Sequence, residues 1–125
     1  MYRVSVIIPV FNGSDYLEDR LMRVLAQDIG SIEIIIVDDG STDNSAQIVL
    51  SCFRKVDRKD ILTRLIAQEN MGVSVARNVG FSHANGKYVI FFDADDLMEK
   101  TFVRRMYERA EETDADLVLC GHFRV

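Results

Sequence analysis

The sequence predicts an open, mostly parallel α/β sheet with helices on its faces. Five short runs of β-branched and aromatic residues recur along the 125 residues, and the segments between them repeat apolar residues at helical spacing. Apolar runs without polar alternation are typical of strands that are buried on both faces. Strands that alternate with helices indicate a parallel sheet with right-handed crossovers. The length is that of one domain, so we expect a single domain over residues 1–125.

The predicted elements alternate along the whole chain. The strands are Val4–Val10, Ile32–Val37, Leu62–Ala67, Tyr88–Phe92 and Leu117–Cys120. The residues that recur at helical spacing fall in four sets: Leu17, Leu21, Val24 and Leu25; Ala46, Val49, Leu50 and Phe53; Val75, Ala76 and Val79; and Phe102, Val103, Met106 and Ala110.

Polar residues predict where three of the helices begin. Ser14 precedes the first helix, and Ser41 or Asp43 precedes the second. Glu99 places an acid in the first turn of the fourth helix, where the helix dipole favours it.

The composition excludes one class of partner and constrains another. Hydrophobic residues make up 48% of the chain and charged residues 28%, which is typical of a soluble globular domain with a core. The net charge is −5 and the basic residues form no block, so we expect no nucleic-acid partner. An acidic protein that binds an anionic ligand usually needs a cation between the two.

The remaining compositional features indicate an intracellular protein. No apolar segment reaches the ~20 residues of a membrane span, and the N-terminal apolar run is too short for a signal peptide. Cys52 and Cys120 lie far apart, and we expect two buried thiols in a reducing cytosol. His83 and His122 have no spaced partner and are interpreted as surface or satisfied residues. The charged stretch 54–60 is interpreted as a solvated helix end and loop. Any contact with the inner membrane face is expected through parts outside this sequence.

Three aspartates follow the apolar fourth strand. Asp93, Asp95 and Asp96 lie within four residues, at the edge of the sheet where ligands of open α/β folds bind. Carboxylates this close repel one another, so they must be solvated, hydrogen-bonded, protonated or bound to a cation. Oxygen ligands suit Mg²⁺ or Mn²⁺, which also bind phosphate oxygens. The competing interpretation is that Asp96 caps a following helix.

Two further segments carry candidate ligand contacts. Asp38 and Asp39 follow the second strand, where a carboxylate can accept a hydrogen bond from a base edge or a ribose hydroxyl. Arg77 lies in an otherwise small and apolar helix. Its guanidinium faces either the ligand or the aspartate cluster, or it belongs to an exposed polar face.

Taken together, the segments after the strands resemble family 2 glycosyltransferases of the GT-A fold. The matching segments, in the family's order and spacing, are Val4–Asn12, Ile36–Asp43, Asn70–Asn78 and Asp93–Asp96. The resemblance covers essentially the whole chain and implies a nucleotide-diphospho-sugar transferase sheet that is Rossmann-like in its first half.

The resemblance also implies residue roles. Pro9, Val10 and Phe11 would line the nucleotide pocket, and Asp39 would hydrogen-bond the base, expected to be uracil. Asn70 and Arg77 would lie beside the donor. The last three assignments concern the aspartates after the fourth strand. Asp95 would contact the ribose and share the metal, Asp96 would bind the Mn²⁺ or Mg²⁺ that bridges the diphosphate, and Asp93 would support the turn.

In such enzymes a carboxylate base deprotonates the acceptor hydroxyl and the anomeric centre is inverted. The implied activity is transfer from a UDP-sugar to a glycan or lipid-linked acceptor, in cell-surface polysaccharide or glycan synthesis. No residue of this chain is assigned as the base, which the family carries further downstream. We therefore expect a donor-binding domain that precedes an acceptor-binding half, and little transfer by this chain alone. An uncovered apolar surface would then favour a homodimer.

Other functions fit less well. A dinucleotide-binding module needs a glycine-rich turn after the first strand, and the segment 9–13 holds one glycine. Aspartyl phosphatases carry their acidic pair after the first strand, and this chain carries its cluster after the fourth. The alternative function is a non-catalytic module that holds a nucleotide but transfers nothing.

Overall fold

Strands and helices alternate strictly in the computed structural model, which describes residues 1–114 and the backbone of a strand at 118–121. The strands are β1 (Tyr2–Val10), β2 (Ile32–Asp39), β3 (Ile61–Gln68), β4 (Gly86–Phe92) and β5 (Val118–Gly121). The helices are α1 (Leu17–Leu25), α2 (Ser45–Lys55), α3 (Val73–Ser82) and α4 (Phe102–Thr113). These strands are all parallel, in the order β3-β2-β1-β4-β5, so the predicted fold class is confirmed. Leu117, the predicted start of the fifth strand, lies outside the described residues.

Alternating side chains on the strands divide the core between the two faces of the sheet. One face includes Ile8 and Phe92 and is covered by α1, α2 and α4. The other includes Ile7 and Val37 and is covered by α3. Burial on both faces is complete for β2, whereas β3 is only half-buried because it lies at an edge.

The position of α4 departs from the expected crossovers. β1–α1–β2 runs toward the β3 edge, and β4–α4–β5 runs toward the opposite edge, yet α1 and α4 cover the same face. The second connection therefore has the opposite hand to the first. Its physical basis is the apolar stripe of α4, in which Val103 is fully buried against that face and Met106 is partly buried against it.

Two of the predicted helix starts are wrong. Ser14 does not cap α1, which begins at Leu17; its backbone N–H donates to the Asp43 carboxylate instead. Glu99 precedes α4 rather than lying in its first turn, because Gln27 supplies the cap. The Gln27 amide donates to the Glu99 carbonyl at 2.7 Å, and its oxygen accepts the Val103 N–H at 3.0 Å.

The second helix follows the predicted start but not the predicted face. Asp43 accepts the backbone N–H of Ser45, the first residue of α2. The buried residues of α2 are Ser45, Val49 and Cys52, whereas Leu50 is 44% exposed. Leu50 is therefore a surface residue, since α2 packs through positions 45, 49 and 52.

The charged stretch after α2 is more than a solvated loop. The Arg58 guanidinium donates to the carbonyls of Leu25, Gln27 and Ile29 at 2.7–3.2 Å and pairs with Asp60 at 2.9 Å. Carbonyls at a helix C-terminus lack intrahelical partners, and a cation satisfies them well. Arg58, in the loop after α2, thus caps the C-terminal end of α1 and the residues that follow it.

The isolated cysteine and histidine behave as expected where they are described. Cys52 is a buried free thiol, and burial raises its pKa. His83 is exposed, with Nδ1 at 2.9 Å from the Val79 carbonyl oxygen. His122 and the Cys120 side chain lie outside the described residues. None of the helices within residues 1–114 has the length and apolar character that crossing a membrane requires.

Candidate functional site

The loops after β1 to β4 meet at one edge of the sheet, because parallel strands place their carboxyl ends together. The strand register aligns Val10 with Asp38 and Asp39 with Gln68. Val10 is 1% exposed, so its side chain belongs to the core, and Pro9 is half-buried. Phe11, by contrast, is 47% exposed and is available to a ligand.

Asp39 anchors the loop after β3. Its Oδ1 accepts the Gln68 amide at 2.9 Å and the Met71 N–H at 2.8 Å, and its Oδ2 accepts the Gly72 N–H at 3.1 Å. The side chain is nearly buried. Burial would by itself raise the pKa of Asp39, but these three hydrogen bonds together lower it. Asp39 is therefore an ionised carboxylate with most of its acceptor capacity already used.

Gly40 allows the loops after β2 and β3 to touch. Its φ of +73° lies in the left-handed region, and an added Cβ would lie 2.7 Å from the backbone nitrogen of Asn70. Only glycine tolerates both conditions. The Asn70 side chain itself is exposed beside the Asp39 anchor.

Asn12 joins the loops after β1 and β2. It has a φ of +50°, and its Oδ1 accepts the Thr42 N–H at 2.8 Å. Its own N–H donates to the Ser41 hydroxyl at 2.9 Å. Asn12 was not among the predicted site residues, although asparagine before a glycine is a recognisable left-handed turn signal.

Asp43 reinforces the same junction. It accepts the hydroxyl of Ser45 at 2.5 Å and the backbone N–H groups of Ser45 and Ser14 at 3.0 and 3.1 Å. These bonds, with that from the Ser45 hydroxyl the largest, lower the pKa of Asp43 to about 2. The carboxylate therefore ties α1 to α2 and is ionised at neutral pH.

The three aspartates after β4 converge. One carboxylate oxygen from each of Asp93, Asp95 and Asp96 lies within 4.8 Å of the others. The competing helix-cap interpretation is wrong, because α4 begins at Phe102, six residues after Asp96. Instead the Asp96 N–H donates to the Asp93 carbonyl at 3.1 Å, which closes a tight turn whose Ala94 is buried in the core. We call residues 93–96 the acidic turn.

Arg77 reaches the acidic turn from α3, on the face of the sheet opposite to α1, α2 and α4. Its Nη2 lies 3.1 Å from the Asp93 Oδ1, so the guanidinium faces the aspartate cluster rather than solvent. Its Nε is buried without a hydrogen-bond partner in the described residues. Such a donor is costly to leave unpaired, and this one lies beside the candidate site.

Arg20 of α1 contacts the acidic turn, and the charge of Asp95 acts on Tyr16, which precedes α1. Neither residue was predicted from the sequence. The Arg20 Nε donates to the Asp95 carbonyl oxygen at 3.1 Å. Burial, followed by the charges of Asp95 and Asp43, raises the pKa of the Tyr16 hydroxyl.

The acidic turn fits a hard divalent cation. Its three carboxylates offer oxygen ligands at close spacing, which Mg²⁺ and Mn²⁺ prefer, and Asp95 is exposed enough to share the ion with a ligand. Asp93 is the exception, since it already pairs with Arg77. Apart from the segment 9–11, the predicted residues thus form two groups. Asp93, Asp95, Asp96 and Arg77 lie around the turn, and Asp39 lies with the loop that contains Asn70.

The chain is similar in sequence to known proteins. The chain matches the glycosyl transferase family 2 over residues 5–125. Glycosyltransferase GlyG of Streptococcus pneumoniae serotype 4 is 37% identical over 121 residues, which are 96% of this chain and 39% of that protein.

Solved structures agree with the sequence comparison. S. aureus TarS 1-349 in complex with UDP matches with a TM-score of 0.75 and 30% identity, over 88% of this chain and 32% of that chain. The mannosyltransferase PcManGT from Pyrobaculum calidifontis, in complex with GDP-Man and Mn²⁺, has a TM-score of 0.70 and 31% identity. It covers 78% of this chain and 29% of its own. The chain thus spans less than half the length of these relatives, and it belongs to glycosyl transferase family 2, with a GT-A fold.

Proposed function

We propose that this chain supplies the donor and metal site of an enzyme that transfers a sugar from a UDP-sugar to an acceptor hydroxyl. The acceptor would be a glycan or a lipid-linked molecule, in the synthesis of cell-surface polysaccharide or a related glycan. The observation that carries the proposal is the convergence of three carboxylates in the acidic turn, at the ligand-binding edge of a parallel sheet. The UDP complex of TarS and the GDP-Man and Mn²⁺ complex of PcManGT support it.

In the acidic turn, Asp96 would be the main metal ligand, and Asp95 would share the ion and contact the ribose. Asp93 would stay with Arg77 and hold the turn in place. When bound, Mn²⁺ or Mg²⁺ would neutralise charge that develops on the leaving diphosphate.

The nucleotide would lie over the loops after β1 to β3. Phe11 offers an exposed ring for the base, and it directly follows the half-buried Pro9 and the buried Val10. A carboxylate has about four acceptor positions and Asp39 uses three, so one remains for a base N–H. Asn70, next to this anchor, would close the pocket. The unpartnered Nε of Arg77 would donate to the bound nucleotide.

The transfer itself would be a direct displacement that inverts the anomeric centre. A carboxylate base would take the proton of the acceptor hydroxyl as its oxygen forms the new bond and the diphosphate leaves. We assign no residue of this chain as that base. Accordingly, we expect the chain to bind donor and metal without efficient transfer. A cytoplasmic location, peripheral membrane association and dimerisation stay predictions.

Calorimetry with UDP, with and without Mn²⁺, tests the donor site. We expect Mn²⁺ to tighten UDP binding at least about tenfold, equivalent to ~1.4 kcal/mol. Asp96→Asn should abolish this gain. Asp57→Asn is the matched control, because it removes one exposed carboxylate from the loop after α2 and should leave binding unchanged.

Three results would contradict the proposal. Absence of UDP binding under both conditions would remove the donor site and support a different role for the domain. UDP binding that does not respond to Mn²⁺, or that responds equally in Asp96→Asn, would remove the metal site. Tight UDP binding by the intact protein without any sugar transfer would favour the non-catalytic module.

A further inference from the structure

The acidic turn is held from both faces of the sheet by arginines. From α3, Arg77 binds the side chain of Asp93 at 3.1 Å. From α1, on the other face, Arg20 binds the main-chain carbonyl of Asp95 at 3.1 Å. Beneath the turn, Ala94 is 9% exposed and packs into the core. The turn is thus fixed at a side chain, at a methyl group and at one carbonyl.

The Arg20 contact differs from an ordinary surface ion pair. Its Nε donates to the carbonyl oxygen, and its Nη1 pairs with Asp19 at 2.6 Å. The side chain is 29% exposed, which makes it the more buried partner of that pair. A planar guanidinium that uses two edges at once is held in one orientation. Arg20 can therefore fix the peptide that joins Asp95 to Asp96.

That peptide sets the direction of the two carboxylates assigned to the metal. The Asp95 carbonyl and the Asp96 Cα belong to one planar peptide unit. Turning this unit by a few tens of degrees would therefore swing the Asp96 side chain. Small displacements of ligand groups reduce metal affinity strongly when their supporting contacts are lost.

Resting on the proposed function, we propose that Arg20 is a positioning residue for the divalent metal. It acts through the Asp95 carbonyl and touches neither metal nor nucleotide. A cavity of about 580 Å³ opens beside this contact, lined in part by Arg20, Asp95 and Asp96. The contact therefore lies at the open side of the acidic turn.

Arg23 provides a control that matches Arg20 in charge. It lies one turn further along α1, and its Nε pairs with the same Asp19 oxygen at 3.3 Å. Arg20→Met and Arg23→Met each remove one cation and leave the same acid with the other arginine. The difference between the two variants isolates the contact with Asp95.

The test is calorimetry of the intact protein with UDP, with and without Mn²⁺, and with Mn²⁺ alone. We expect Arg20→Met to reduce the Mn²⁺-dependent gain in UDP affinity about tenfold, as for loss of one charge-assisted hydrogen bond. UDP affinity without metal should stay within about twofold of the wild type, and Arg23→Met should stay within about twofold under every condition. Arg20→Lys, which keeps the charge and a donor, should recover part of the loss.

Each result bears on the proposal. The proposal is overturned if the Mn²⁺-dependent gain in UDP affinity is equal in Arg20→Met, Arg23→Met and the wild type. Equal weakening of UDP binding with and without Mn²⁺ also overturns it, because that is the result of a general structural role. If Arg20→Met does not fold, the same comparison is made with Arg20→Lys, and a gain identical to the wild type overturns the proposal. If the wild type itself shows no Mn²⁺-dependent gain, the proposed function fails, and this outcome is distinct from the others.

Discussion

Replacing Arg77 by methionine should separate the two roles of the ion pair at the acidic turn. The Arg77 and Asp93 side chains are 34% and 30% exposed, with 3.1 Å between Nη2 and Oδ1. Two unit charges ~4 Å apart interact by about 1 kcal/mol in water and about 4 kcal/mol near a protein surface. Because a third of each side chain is exposed, solvent screening reduces this to an expected coupling of about 1–2 kcal/mol.

A double-mutant cycle measures this coupling. Arg77→Met, Asp93→Asn and the double variant are compared with the wild type by urea unfolding, which isolates the pairwise free energy. A high-salt series should lower the coupling only partly, since the pair is half-buried. A coupling below about 0.3 kcal/mol would refute the inference that Arg77 holds the turn through Asp93.

Arg77→Met should lower the stability of the fold but tighten the binding of Mn²⁺ alone. The guanidinium competes with a cation for the acidic turn, so Arg77→Met should tighten binding of Mn²⁺ alone by about threefold, through the removed repulsion. It should weaken binding of UDP with Mn²⁺, because the Arg77 Nε is lost as a donor. Weaker binding of Mn²⁺ alone would show that positioning by Arg77 outweighs its charge.

Three further predictions concern the loops that support the site. Arg58→Lys should lower the free energy of unfolding by about 2 kcal/mol, because lysine cannot reach three carbonyls at once, whereas Lys59→Ala should stay within about 0.5 kcal/mol in urea unfolding. Asn12→Ala should lower the free energy of unfolding by about 2 kcal/mol, because it loses the hydrogen bond to Thr42 and places alanine at a left-handed φ. Asn12→Gly should lower it by about half as much, since glycine tolerates that φ. Equal losses in the two variants would contradict the inference of backbone strain at residue 12. The pKa of Asp43 is lowered from 3.8 to about 2 in the folded chain. Its contribution to the free energy of unfolding is therefore complete above pH 3.8 and is lost as the pH falls toward 2. Asp43→Asn should make the free energy of unfolding less dependent on pH in that window.

Helix starts were predicted less well than strands, for a local reason. The central strands are buried on both faces, so their apolar runs in the sequence match the observed bounds to within about two residues. Helix starts depend on which side chain reaches the free N–H groups. For α4 that side chain is Gln27, which precedes Val103 by 76 residues. No pattern near Glu99 could have indicated this.

The family motifs located the candidate site but not the use of each residue. Asp39 was expected to bind the base, and its carboxylate also anchors the Met71–Gly72 backbone. This anchoring depends on how closely the loops after β2 and β3 approach, which Gly40 permits. The helix cap and the metal site were both compatible with the sequence around Asp96. The nine residues between β4 and α4 decided against the cap.

The sequence by itself determined the order of strands and helices, the acidic turn after β4 and the family. These follow from local hydrophobic pattern and from motifs within a few residues of each other. Only the tertiary structure decided which cations meet the acidic turn. Arg77 precedes Asp93 by 16 residues and Arg20 precedes Asp95 by 75, on helices that cover opposite faces of the sheet. Such contacts depend on strand order and on the face that each helix covers, because β4 lies beside β1 rather than β3.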